Sequence, residues 1–398
     1  MRIRDQFPLL VSDPGLHYLD SGASSQTPAA VLEAVRLFET AQRANVHRGV
    51  HRLAEAATAA YEGARDEIAR FFSASRDEIV HTSGTTAAIN LVAHSFGDGL
   101  AAGDEIVISE LEHHSNIVPW QMLRDRRGLK LKVLPVTDEG RIDLDALDRV
   151  LTKRTRLVAL AHCSNVTGAV VDLAPVVAAA KTVGAAVLVD GAQRVPHGPL
   201  DIPALGVDFY AFSGHKMYAP HGIGVLWGRR DRLAAMPPFL GGGDMIRRVT
   251  LETTEYAPPP ARFEAGTPNI SGAIGLGAAC TWMAGLDWPA VAQEEIRLTG
   301  RLLDGLANVP GVRVLGPLGL QQRIGVVSFA MGDTHPHDVA QILDRHGVAC
   351  RGGHHCAQPL MDRFDLMGTT RATIAPYTEA ADIDALLAGL DEARRVLG

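Results

Sequence analysis

"AAVLVDGAQ", Ala185–Gln193, is an apolar run that ends abruptly in an acid, a glycine and an amide. Its length and β-branched content suit a strand buried on both faces, with Asp190 at the carboxyl end. "DFYAFSGHK", Asp208–Lys216, repeats the plan, an aromatic-rich strand closed by Ser213, Gly214, His215 and Lys216. Further out, "DEIVHTSG" (Asp77–Gly84), "DEIVISE" (Asp104–Glu110), "LKLKVLPV" (Leu129–Val136), "TRLVALAHCSN" (Thr155–Asn165) and "GIGVLWG" (Gly222–Gly228) also read as strands. Amphipathic, alanine-rich segments follow several of them, as in Thr85–Phe96 and Ala174–Gly184. Strands alternating with helices imply right-handed crossovers and a mainly parallel sheet, so the expected fold class is α/β.

The regularity stops over "PPFLGGGDMIRRVTLETTEYAPPPARFEAGTPN", Pro237–Asn269, which is too long for a simple linker and reads as a functional loop. Helical patterns resume to about Asn308, followed by strand-like Val312–Gly316 and Ile324–Met331. A helix at Pro336–Gly347, a strand at Thr370–Tyr377 and a closing helix at Ala380–Leu397 complete the chain. Two domains are expected: a large α/β unit over 15–270, and a smaller α+β unit over 271–398 together with 1–14.

At 398 residues, with 46% hydrophobic and 21% charged, the composition is that of an ordinary globular enzyme. A formal net charge of -7 and the lack of any basic, aromatic-interleaved run speak against nucleic acid as a partner. The opening "MRIRDQFPLLVSDPG" is broken by Pro8 and Asp13 and has no signal-peptide core; no apolar run is long enough to span a bilayer. The four cysteines, Cys163, Cys280, Cys350 and Cys356, form no CxxC pair, which argues against a disulfide framework or a zinc ribbon. A cytoplasmic protein is expected.

In open α/β sheets ligands sit outside the carboxyl ends of strands, and polar groups collect there in this chain. "TSGTT" (Thr82–Thr86) lies where a helix begins, a place suited to a phosphate or to a plain helix cap. Asp190 can serve as a cap, a metal ligand or the partner of a protonated ring nitrogen. Lys216 follows a buried strand, where desolvation lowers an amine's pKa and favours Schiff-base chemistry. His113 and His114 follow another strand; one imidazole could stack on a flat ligand, or either could cap a turn. Asn165 is a turn former or a donor to a ligand. A phosphate nest, an acid, a buried lysine and a ring-facing histidine are together the parts that hold pyridoxal phosphate.

The order "GTT", "EHHSNIVPWQ", "SNVTG", "VDGAQ", "SGHK", "FEAGTPN" and "RGGHHCA" resembles the class V, fold type I pyridoxal-phosphate enzymes, and within them the Suf-type, group II cysteine desulfurases and selenocysteine lyases. The likeness runs from "HYLDSGAS" to "TRATIAPY". It implies pyridoxal 5'-phosphate as cofactor, with Lys216 as its Schiff-base lysine, Asp190 on the pyridine nitrogen, Gln193 on the phenolic oxygen and His113 stacked on the ring. Asn165 orients cofactor and substrate, and Thr85, Ser213 and His215 take the phosphate. Thr267 is expected to reach the phosphate of a second subunit, which implies a homodimer with shared sites. Arg371 clamps the substrate carboxylate, and Cys356 is the catalytic nucleophile that receives sulfur as a persulfide.

The activity so implied converts L-cysteine, or L-selenocysteine, to L-alanine, with sulfur passed to a SufE- or SufU-type carrier for iron–sulfur cluster assembly. A class V aminotransferase or lyase without sulfur transfer is the nearest alternative. A metal site at His354, His355 and Cys356 is the alternative from another class, and a scaffold that keeps the cofactor only for structure is a third. Ala87, Ala88, Ala219 and His221 depart from the family pattern.

Overall fold

The computed structural model describes residues 2–397. Its centre is a seven-stranded sheet of β1 (Ile79–Thr82), β2 (Glu105–Ser109), β3 (Lys130–Leu134), β4 (Thr155–Ala161), β5 (Ala186–Asp190), β6 (Phe209–Ser213) and β7 (Gly224–Gly228). The spatial order is β1-β7-β6-β5-β4-β2-β3, with every neighbouring pair parallel except the two that β7 makes. β2, β5, β6 and β7 are buried along their whole length. This is why they read as unbroken apolar runs. β3, at the edge, exposes Lys130 and keeps alternating lysines, which discourages further strand pairing. Because β1 through β6 point the same way, residues 82–86, 109–116, 162–165, 190–193 and 213–216 all emerge at one edge of the sheet.

Pro237–Asn269 is more ordered than its composition suggested. An antiparallel hairpin, β8 (Ile246–Val249) with β9 (Thr254–Tyr256), lies inside it, and its residues are exposed except for the partly covered Ile246. Neither strand buries a face, so no hydrophobic alternation marked it. The second sheet is four-stranded and antiparallel: β10 (Val312–Leu315), β11 (Val326–Met331), β13 (Thr369–Thr373) and β12 (Arg351–Gly353), in that spatial order. The helices Trp288–Ala307, Pro336–Arg345 and Ala380–Leu397 pack on it around Leu302, Phe329, Leu343 and Leu386.

One buried cluster runs across the boundary expected at residue 270. Phe7 and Leu10, with Ala273, Leu276, Ala279 and Met283 of the helix Ile270–Ala284, belong to the large-sheet core beside Tyr61 and Ile68. The helix is glycine-rich, and Gly277 lets it sit directly on the helix Arg52–Phe71: a Cβ there would stand 2.7 Å from the Cα of Ala64. Phe7, Leu10 and the helix Ile270–Ala284 therefore pack beside Tyr61 and Ile68, while Arg2 and Arg4 pair with Glu379 and Asp382 of the small unit.

Candidate active site

A cavity of about 200 Å³ opens where the carboxyl edge of the large sheet meets the small unit. Thr85, His113, Asn165, Asp190, Gln193, Ser213, His215, Lys216, Cys356 and Arg371 all line it. Thr267 does not; it is exposed on the loop before the helix Ile270–Ala284.

Each element delivers its residue for a local reason. Thr85 opens the helix Thr85–Ser95, and the preceding Gly84 has φ 144°, a conformation L side chains rarely adopt. The Thr85 amide donates to Ser213 Oγ at 2.8 Å, and the two hydroxyls lie 2.7 Å apart, tying the helix start to the end of β6. Lys216 closes the short turn Gly214–Lys216 after β6. Two residues on, Tyr218 is buried among Phe7, Trp282 and Tyr377, each pair worth about 1 kcal/mol beyond its area, and its amide donates to Ser25 Oγ at 2.7 Å. The lysine's backbone is thus anchored on both sides.

Burial pushes the Lys216 amine down to about 8, against the opposing pull of Asp190. Burial likewise raises the Asp190 carboxyl, opposed by the Ala192 amide that donates to it at 3.0 Å and by Lys216. His113 is held near 3 by burial and by Lys216, so its ring is neutral, and its Nδ1 is tied to the hydroxyl and amide of Ser115 at 2.8 and 3.1 Å. His215 is pushed to about 4 by burial and Lys216; its buried Nδ1 has no partner among the described residues. His221 stacks on it, with centroids 5.3 Å apart and planes 15° apart, and reaches Ser24 Oγ at 3.2 Å. Gln193 donates to the carbonyl of Gly22 at 2.8 Å.

The small unit brings Arg371 on β13 and Cys356 on the turn after β12. Arg371 is 2% exposed, donates to the Asn165 carbonyl at 2.9 Å and faces Asp20 at 3.5 Å, while its Nε has no acceptor among the described residues. Gly22 makes room for it, since a Cβ there would stand 3.2 Å from the guanidinium carbon and 2.6 Å from Thr373 Oγ1. Cys356 is the one exposed cysteine; Cys163 and Cys280 are buried and Cys350 half-buried. Burial raises the thiols of Cys163 and Cys350 to about 12.

Sequence reasoning missed Asp20, Gly22 and Ser115, which carry no strand-end or catalytic signature of their own. Cys163 is buried yet also touches the cavity. Among the described residues no group of three His, Cys, Asp or Glu side chains could hold a metal ion, and no helix is long and apolar enough to cross a membrane.

Residues 17–386 match the family model described as aminotransferase class-V. A cysteine desulfurase of Dickeya dadantii is 50% identical over 403 positions, covering 100% of this chain and 97% of that protein. A probable cysteine desulfurase of Streptomyces coelicolor is 47% identical, with the same coverage. Among solved structures, the cysteine desulfurase CsdA of Escherichia coli, in an S-sulfonic acid form, superposes with a TM-score of 0.93 at 41% identity, covering 99% of this chain and 98% of that one. A lysine mutant of C-DES with glycine covalently linked to its PLP cofactor has a TM-score of 0.84 at 27% identity, covering 98% of this chain and 99% of that one. With its parallel sheet, its strand-end lysine and acid, and relatives of this similarity along its whole length, the chain belongs to the class-V aminotransferase family, among its cysteine desulfurases.

Proposed function

We propose that the protein is a pyridoxal-phosphate-dependent cysteine desulfurase that converts L-cysteine to L-alanine and leaves the sulfur as a persulfide on Cys356. One observation carries this reading: the single exposed cysteine shares a cavity with a half-buried lysine, a buried acid and a buried arginine.

The residues present fit the cofactor. The unpartnered Nδ1 of His215, the paired hydroxyls of Thr85 and Ser213 and the helix start behind them suit a phosphate dianion. Asp190 suits a protonated ring nitrogen, Gln193 a phenolic oxygen, neutral His113 the ring face, and Lys216 the aldehyde. When bound, the ring supplies a sink for the electron pair released at the substrate's Cα. Arg371 holds the substrate carboxylate through paired N–H donors, and Asn165 helps to orient it. Lys216 moves a proton at Cα. The Cys356 thiolate attacks the substrate sulfur, so the carbon–sulfur bond breaks, a sulfur–sulfur bond forms, and the carbon takes a proton to give alanine.

L-Selenocysteine fits the same groups, and the ratio of kcat/KM for the two substrates separates desulfurase from selenocysteine lyase. The exposed Cys356 turn is the natural docking place for a SufE- or SufU-type carrier feeding iron–sulfur cluster assembly, a cytoplasmic task. Two copies form the working unit, with Thr267 of each reaching the phosphate in the other.

Cys356→Ala tests the reading. Wild type is expected to release alanine and carry labelled sulfur from L-cysteine; the variant should lose the protein-bound label and at least about a hundredfold in alanine formation. Label and alanine both surviving the change would mean that Cys356 is not the sulfur acceptor.

A further inference from the structure

We propose that His114 is a positioning residue that clamps the Cys356 turn in its sulfur-accepting geometry. The inference rests on the desulfurase reading and deepens it. The neighbouring His113 lines the cavity, whereas His114 turns away from it and meets the nucleophile's loop from outside. The His114 amide donates to the Cys356 carbonyl at 2.7 Å, and its Nε2 accepts the Gln358 amide at 3.1 Å. One residue thus grips the chain at Cys356 and two positions beyond.

The grip matters because the turn is not one the chain would keep unaided. His355 and Cys356 have φ of 52° and 54°, two consecutive side-chain-bearing residues in the left-handed region. Other ties come from the cavity side, where Asn165 Nδ2 donates to the His355 carbonyl at 2.7 Å, from β13, where His355 Nε2 lies 2.9 Å from the Thr369 carbonyl oxygen, and from within the loop, where His354 Nδ1 accepts the Cys356 amide at 3.0 Å. His114 supplies the tie from the large unit's outer side, and its base is rigid. Glu112 accepts from Ser109 Oγ and Asn116 Nδ2 at 2.5 and 2.6 Å, and Asn116 accepts from the Trp120 indole at 2.9 Å, all buried.

An imidazole can accept the Gln358 amide only while Nε2 is unprotonated. Burial and the His354 ring, 5.6 Å away, keep the His114 pKa below the ordinary imidazole range. The other titratable ring beside it is His113 at 6.3 Å, and among the described residues no carboxylate pairs with it.

The test compares holoenzymes of wild type, His114→Ala and His114→Gln in two assays. One is single-turnover formation of the Cys356 persulfide from L-cysteine. The other is exchange of the α-hydrogen of L-alanine with deuterated solvent, which needs the lysine but not the thiol. His114→Ala is expected to exchange alanine at the wild-type rate and form the persulfide about tenfold more slowly, the cost of a lost main-chain acceptor. His114→Gln, whose amide oxygen can take the Gln358 N–H, should stay within about threefold of wild type. Equal persulfide rates in all three proteins, a parallel loss in both assays, or a glutamine variant as slow as the alanine one would each overturn the clamp. A wild type that exchanges alanine but forms no persulfide would instead overturn the desulfurase reading itself.

Discussion

Arg371 shows how one side chain can be both structural and available. It is buried on β13, fixed by the Asn165 carbonyl and balanced by Asp20, yet burial holds its pKa down to about 10 and its Nε has no acceptor among the described residues. A carboxylate arriving beside it would complete its hydrogen bonding. Lysine keeps the charge but loses the planar pair of donors, so Arg371→Lys is expected to raise KM for L-cysteine about tenfold or more with a smaller fall in kcat, as steady-state kinetics would show. A change confined to kcat would take Arg371 off the substrate. Arg371 was named through the family resemblance alone, whereas Lys216 and Asp190 were legible as residues because charged groups directly beyond apolar strands have few structural uses. The pair His113 and His114 was not. Adjacent positions after a strand differ in direction only once the turn is known, and that turn is set by Glu112 and Asn116, whose buried bonds leave no mark in spacing.

The segment joining β2 to the helix Val118–Arg127 is where an element acts as a unit. Glu112 is fully buried, and burial pushes its carboxyl up to about 8 despite the donors from Ser109 and Asn116. The folded protein therefore keeps this proton at pH 7, while the unfolded chain, with an ordinary glutamate near about 4.3, has released it. Native structure binds the extra proton, so Glu112's contribution to stability falls as pH rises from the unfolded value to about 8 and is level above that. Glutamine has the shape and donor of the protonated acid. Glu112→Gln is expected to match wild type near pH 4.5 and to exceed it by about 2 °C in Tm at pH 8, as thermal unfolding at several pH values would show. A Tm difference that does not grow with pH would mean that Glu112 is ionised in the folded state. The strands of the central sheet were legible because they are buried on both faces; the hairpin β8–β9 and the two-residue parallel pair of His17–Tyr18 with Val348–Ala349 were not, being exposed or too short to show a period.

At the scale of the whole molecule, the cavity is assembled from distant stretches: the N-terminal segment gives Gly22, the large sheet Asp190 and Lys216, and the small sheet Cys356 and Arg371. Sequence order named most of these groups, but only the packing of two cores against each other shows that they converge. Thr267 is the expected site residue left outside, exposed beside a stretch that also exposes Leu240, Val249 and Leu251. Those apolar side chains on the segment that carries Thr267 are consistent with a second copy covering them, and shared sites make a quantitative demand. Lys216→Ala removes the amine of its own site; on the proposed shared-site reading Thr267→Ala removes a phosphate contact from the neighbour's and is expected to weaken cofactor binding about tenfold. In a mixed dimer of the two variants one site carries both defects and the other carries neither. Unfolding and refolding an equal mixture should make half the dimers mixed, so at cofactor concentrations that leave Thr267→Ala nearly inactive, activity should recover to about a quarter of the wild-type level. Sites confined to single chains would give no recovery beyond the sum of the two parents, and Thr267 would then serve only its own subunit.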